Sequence, residues 1–117
     1  MKHEVMDADE LAPGDSKAVS LEGIAVVVIR KPDGSLSALR DVCPHHAARL
    51  SLGVVRPLLE TDENWDYALS DSQYTIRCPW HGFEFDVDTG RCPADPDKYR
   101  VRSYPVSVEN GKIVVER

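Results

Sequence analysis

The sequence predicts an all-β domain of roughly eight to ten short strands. Three observations carry that expectation. Short β-branched and aromatic runs recur along the chain, separated by Gly, Pro, Asn and Asp. No stretch holds apolar residues at helical spacing for long enough to make a long helix. Asn110-Gly111 sits between two of the β-branched runs, which is the pattern of a two-residue hairpin turn. With 117 residues and 42% hydrophobic content, the chain is long enough and apolar enough for one domain around a packed core.

Taken in order, Lys2 to Met6 reads as a first strand, and Asp7 to Pro13 as an acidic turn with room for one helical turn. Lys17 to Leu21 and Ile24 to Arg30 flank Glu22-Gly23, a tight hairpin. The second of these runs is too β-branched for a helix and too uniformly apolar for a half-exposed strand, so it is expected in the centre of a sheet. Pro32-Asp33-Gly34 turns the chain into Leu36 to Arg40. Gln73 to Arg77 is a strand, and Phe83 and Phe85 alternate with Glu84 and Asp86 beyond it. Asp88-Thr89-Gly90 is a turn. Tyr104, Val106 and Val108 alternate with polar neighbours before Asn110-Gly111 returns the chain along Lys112 to Val115. Arg56 to Ser72 is different in kind: it contains Pro57 and the acidic run Glu60 to Asp66, and reads as a long excursion.

The chemistry lies in two short motifs, each at the end of a strand-like run. Cys43-Pro44-His45 supplies one thiol and one imidazole, and 32 residues further on (46 to 77) Cys78-Pro79-Trp80-His81 supplies another of each. A 2Fe–2S cluster with two Cys on one iron and two His on the other needs this complement. Zinc also accepts two Cys and two His. Zinc fingers, however, usually pair Cys with Cys and His with His in sequence, whereas each motif here holds one of each. The dullest alternative, four residues unrelated in space, leaves the repeated Cys-Pro and the closing His to coincidence. Replacing two thiolates by neutral imidazoles lifts a cluster potential from near −400 mV to roughly −150 to +300 mV.

The residues around these motifs resemble a known family. Cys43-Pro44-His45-His46-Ala47-Ala48-Arg49-Leu50 and Cys78-Pro79-Trp80-His81-Gly82-Phe83-Glu84-Phe85-Asp86 are similar to the two cluster-binding boxes of Rieske proteins. Asp9 to Gly14, Asp88 to Arg91 and Arg102 to Lys112 resemble the opening turn, the turn after the second box and the closing hairpin of Rieske-type ferredoxins and of the Rieske domains of ring-hydroxylating oxygenases. The likeness covers nearly the whole chain except the central insert.

The resemblance implies the Rieske fold: three antiparallel sheets, with a small cluster-binding subdomain (about 41–95, its acidic insert about 56–72) set into a basal β-domain. It implies that Cys43 and Cys78 hold the buried iron of a 2Fe–2S cluster, and His45 and His81 the outer one. It implies no catalysis by this chain, but one-electron transfer from a flavin-dependent ferredoxin reductase to a terminal oxygenase. A small Rieske subunit of a larger reductase, like that of nitrite reductase, is the alternative. The cross-loop disulfide of the respiratory branch is not expected, since Ala47 and Trp80 stand where its cysteines would be. Phe83 and Phe85 stand where that branch has hydroxyls, so a potential low in the Rieske range is expected. That potential should also fall with rising pH, by up to about 59 mV per pH unit, as the imidazole N–H groups titrate. The spacing between the boxes is longer than is usual for such ferredoxins, and no mononuclear-iron domain is visible.

A net charge of −6 argues against nucleic acid and suits an acidic carrier docking on a basic face of its partner. Two of the three cysteines are claimed by the motifs, leaving Cys92 as a buried filler and pointing to a reducing compartment. No signal peptide is read from the polar start, and the apolar run Ile24 to Ile29 is too short to cross a bilayer, so a cytoplasmic location without membrane attachment is expected. His46 is read as a loop residue beside the ligands and His3 as an exposed strand residue. Trp65 is expected to pin the insert to the domain, the alternative being a docking patch or lid formed by Trp65 and Tyr67, and Trp80 to pack beneath the second loop.

Overall fold

The computed structural model describes residues 1–42, 49–61, 67–78, 83–94 and 97–117. Over these residues the all-β expectation holds. The strands are β1 (Lys2–Asp7), β2 (Ser16–Leu21), β3 (Ile24–Arg30), β4 (Leu36–Arg40), β5 (Val54–Thr61), β6 (Tyr67–Arg77), β7 (Glu84–Asp86), β8 (Ser103–Tyr104), β9 (Val106–Glu109) and β10 (Lys112–Glu116). They form three antiparallel sheets, ordered β1-β10-β9, β2-β3-β4-β8 and β5-β6-β7. Helix among the described residues is confined to single 3-10 turns at Ala8–Glu10, in the predicted acidic turn, and at Leu50–Leu52. No helix among the described residues is long and apolar enough to cross a membrane.

The uniformly apolar strand β3 explains how the sheets stack. Its side chains alternate between two faces, and both faces are covered. Val27 and Ile29 pack with Leu39, Ile76 and Phe85, in a core shared with the β5-β6-β7 sheet. Val26 and Val28 pack with Ala38, Ile113 and Val115, in a core shared with the β1-β10-β9 sheet. The four residues from Val26 to Ile29 are wholly buried, and each such burial stabilises by about 1.5–3 kcal/mol. β2-β3-β4-β8 is therefore the middle layer.

The hairpin turns are where the sequence places them. Glu22 and Gly23 have φ of 51° and 87°, and Asn110 and Gly111 have 53° and 75°. Two successive positive φ values are what a two-residue turn needs to match the twist of its strands. At the first turn of the chain, Arg30 donates to the carbonyls of Leu11 (2.7 Å), Gly34 (2.8 Å) and Ala8 (2.9 Å). One guanidinium thus fastens two loops to the middle sheet. His3 is half-buried, not exposed, and its Nε2 has no hydrogen-bond partner among the described residues.

The excursion at 56–72 is largely strand. β5 pairs with β6 from Val54↔Arg77 to Pro57↔Tyr74, and again from Leu59↔Leu69 to Thr61↔Tyr67. Between the two stretches Leu58 alone faces positions 70–73, a pronounced bulge. Pro57 is tolerated because β5 lies at the edge of its sheet. Beyond the bulge the hairpin leaves the core: Leu59 and Leu69, opposite one another, are both exposed. Trp65 and the acidic positions 62–66 lie outside the described residues.

Candidate metal centre

Of the four residues expected to hold metal, Cys78 is described, while Cys43, His45 and His81 lie outside the described residues, as do His46 and Trp80. What the structure shows is how the two loops that carry them are held. Both are anchored at the same end of the β5-β6-β7 sheet. The first loop returns to the sheet at Val54, the start of β5, and the second leaves it after Arg77, the end of β6; Val54 and Arg77 are paired.

The stem of the first loop is closed by a carboxylate. Beyond β4, Asp41 continues the sheet edge by donating its N–H to the Ala25 carbonyl (2.9 Å). Its side chain is wholly buried. One carboxylate oxygen accepts from the Ser51 N–H and the other from the Ser51 hydroxyl, both at 2.6 Å. Arg49, mostly exposed, lies 3.7 Å from the second oxygen. Positions 41 and 51 are thereby tied across loop 43–48. Charge-assisted hydrogen bonds of this kind are about twice as strong as neutral ones. Leu50, between the two ties, is wholly buried in the same core as Cys78.

The second stem is closed by backbone. The Cys78 N–H donates to the Phe83 carbonyl at 2.6 Å across positions 79–82, and Arg77↔Glu84 pairing continues below it. Cys78 itself is wholly buried among Leu50, Ile76 and Phe85. Phe83 is half-buried, and its ring meets that of Tyr99 at a centroid distance of 5.0 Å and a tilt of 52°. The Tyr99 carbonyl accepts from the Cys92 N–H (3.0 Å), which closes the stem of a third loop, around 93–98, beside Phe83. Cys92 is a free cysteine, 1% exposed, in the same core. Its reading as a small apolar filler agrees with that position.

The stems fit a 2Fe–2S cluster. The first loop ends, and the second begins, at paired residues of neighbouring strands, and the sequence gives each loop motif one Cys and one His. Cys78, the described member of the expected donor set, sits in an apolar setting. Around this end the surface is mixed. Leu52 and Val54 are exposed beside the stems. A cleft of about 510 Å³ runs between the hairpin and the third loop, lined by Leu58, Leu59, Phe83, Cys92 and Pro93 among others. Asp41 and Ser51 were missed as site residues: the sequence places Asp41 two positions before a candidate ligand, but nothing in it pairs that carboxylate with a serine ten residues on.

Comparison with known proteins agrees with this geometry. Residues 1–105 match the family described as Rieske [2Fe-2S] domain. The ferredoxin component of the p-cumate 2,3-dioxygenase system of Pseudomonas putida is 32% identical over 108 residues, covering 92% of this chain and 79% of that one. The ferredoxin of carbazole 1,9a-dioxygenase from Nocardioides aromaticivorans IC177 superposes with a TM-score of 0.74 at 32% identity, over 98% of this chain and 96% of that one. A protein from Mycobacterium tuberculosis described as an NADH-dependent nitrite reductase small subunit gives a TM-score of 0.81 at 29% identity, over 100% and 95%. The three-sheet fold, the donor motifs and these likenesses lead to one conclusion: the chain belongs to the Rieske family and is an electron-transfer protein whose cofactor is a Rieske-type 2Fe–2S cluster.

Proposed function

We propose that this chain is a cytoplasmic ferredoxin, taking one electron at a time from a flavin-dependent reductase and delivering it to a terminal oxygenase. Cys43 and Cys78 would bind one iron, and His45 and His81 the other. When bound, the cluster supplies a single reversible redox equivalent at a potential low in the Rieske range. The cluster-binding subdomain is assigned to about 41–95, with its insert at about 56–72. The containment of the whole β5-β6-β7 sheet between β4 and β8 supports that assignment.

The observation that carries this reading is the register Val54↔Arg77, which sets the exit of the first loop beside the entry to the second. This chain's residues contribute rigidity. The Asp41–Ser51 tie and the Cys78–Phe83 bond hold both stems, an arrangement that suits electron transfer with little rearrangement. Burial of Cys78, Leu50 and Phe85 keeps water from the sulfur side. Likeness to a dioxygenase-system ferredoxin over 92% of this chain and 79% of that one favours an oxygenase as acceptor.

The test is chemical. Anaerobically purified protein should hold two irons and two acid-labile sulfides per chain, as a 2Fe–2S centre requires. Its reduced form should give an EPR signal of low average g, and His45→Ala or His81→Ala should abolish that signal. Colourless, sulfide-free protein would end this reading. The likeness to a nitrite reductase small subunit favours a second reading, in which the chain is a fixed subunit of a larger reductase. Size-exclusion chromatography from the native source separates the two, because a ferredoxin elutes alone.

A further inference from the structure

The chain has 14 Lys and Arg against 20 Asp and Glu, yet one face beside the first ligand loop has the opposite sign. Arg40, Arg100 and Arg102, all exposed, line a cleft of about 360 Å³ with Val42 and Val101. No carboxylate lines it among the described residues. None of the three arginines joins the ion pairs formed among the described residues. Arg102 stacks over the Tyr104 ring at 5.0 Å, which orients its guanidinium without neutralising it.

The backbone fixes this grouping. The Arg40 N–H donates to the Arg102 carbonyl at 2.8 Å. Val101 turns inward to the core, so strand alternation turns Arg100 and Arg102 outward together. The nearest buried carboxylate in sequence, Asp41, is already engaged by Ser51. Three like charges around one cleft repel each other, and folding gains nothing from them. Their cost is offset only when an anion arrives.

The position matters as much as the sign. Val42 immediately precedes the first ligand motif, and Arg100 closes the third loop, whose Tyr99 lies against Phe83 of the second. We propose that the cleft of Arg40, Arg100 and Arg102 is a docking subsite for carboxylate side chains on the surface of the electron-transfer partner. This rests on the reading of the chain as an electron carrier. It reverses locally the expectation, drawn from the net charge, of an acidic carrier on a basic partner. A nucleic acid is the poorer occupant, because tracking a phosphate backbone takes an extended basic stripe, and the rest of this chain is acidic. A net negative carrier with one positive cleft by its redox end would be oriented as it approaches, so that the productive face arrives first.

The test uses the holoprotein and a fluorescein-labelled decaglutamate peptide, followed by anisotropy at low salt. The variant R40Q/R100Q/R102Q is compared with K2Q/K17Q/K112Q, which removes the same charge at residues that do not line the cleft. The cleft variant should bind about tenfold more weakly and lose its salt dependence, with the control within about twofold of wild type. In parallel, reduced protein passes one electron to hexacyanoferrate(III), giving hexacyanoferrate(II). That oxidation should slow in the cleft variant alone, at unchanged midpoint potential. Equal weakening in both triples, no binding by wild type, tighter binding of decathymidylate than of decaglutamate, or an unaltered oxidation rate would each overturn the proposal. Iron and sulfide are assayed on the same wild-type samples, so failure of the cluster reading appears there and not in the variants.

Discussion

Gly53 and Arg77 are in backbone contact: a β-carbon on residue 53 would lie 1.8 Å from the Arg77 carbonyl oxygen. The φ of Gly53 is −86°, so conformation alone would admit any residue there, and only space forbids it. The contact joins the exit of the first ligand loop to the strand entering the second. Gly53→Ala is therefore expected to cost about 3 kcal/mol by forcing the two stems apart. Iron and sulfide per chain should fall together with the denaturation midpoint. Full iron at wild-type stability would refute the close contact.

The tie between Asp41 and Ser51 makes an ordered prediction. Asp41→Ala leaves the Ser51 N–H and hydroxyl without their acceptor in a buried setting, at about 2–3 kcal/mol. Ser51→Ala keeps the backbone half of the tie and should cost about 1 kcal/mol. Urea denaturation gives the two costs, and the rate of iron loss to a chelator should follow the same order. A reversed order would show that the carboxylate is not what closes the loop.

Asp7 and Lys112, paired across β1 and β10, give a pH signature. Hydrogen bonding to Lys112, and then its charge, holds the Asp7 carboxyl below the ordinary 3.8. Stability from Asp7 is thus present above 3.8 and is lost as pH falls through the lowered value. Lys112, raised above 10.5 chiefly by its hydrogen bond to Asp7, contributes below 10.5 and loses that contribution as pH rises through its folded value. Asp7→Asn should flatten the acid limb of the stability profile below about pH 4, less so in high salt because both groups are exposed. Parallel acid limbs for wild type and variant at low salt would contradict this.

The outer half of the β5–β6 hairpin should be dispensable for folding. Replacing 58–73 by Asn-Gly joins Pro57 to Tyr74, which already face one another. Tyr74 and Ile76 keep their places in the core, while the exposed Leu59 and Leu69 are removed. The shortened protein should bind iron normally and lose less than about 1 kcal/mol. Circular dichroism melts and iron assay check it; an unfolded product would mean that the insert supports the core.

Much of this fold was legible in the sequence. Ile24–Arg30 and Leu36–Arg40 have the predicted bounds, because β-branched runs flanked by turn residues leave little choice of register. Glu22-Gly23 and Asn110-Gly111 turn as expected, since both turns need positive φ. β5 and the outer part of β6 were not legible. Pro57 and the bulge at 70–73 break the period-2 pattern, and Leu59 and Leu69 face solvent, so no burial signal marks them. At the candidate metal centre Cys-Pro-His and Cys-Pro-Trp-His single out the expected donors, because soft and borderline ligands in loops have few other uses. The Asp41–Ser51 tie and the arginine cleft were not legible, since both depend on residues brought together only by folding.

β3 is a party wall. With Val26 and Val28 on one side and Val27 and Ile29 on the other, neither half of the protein can be loosened without exposing the other's lining. A breach in the wall itself brings both rooms down at once.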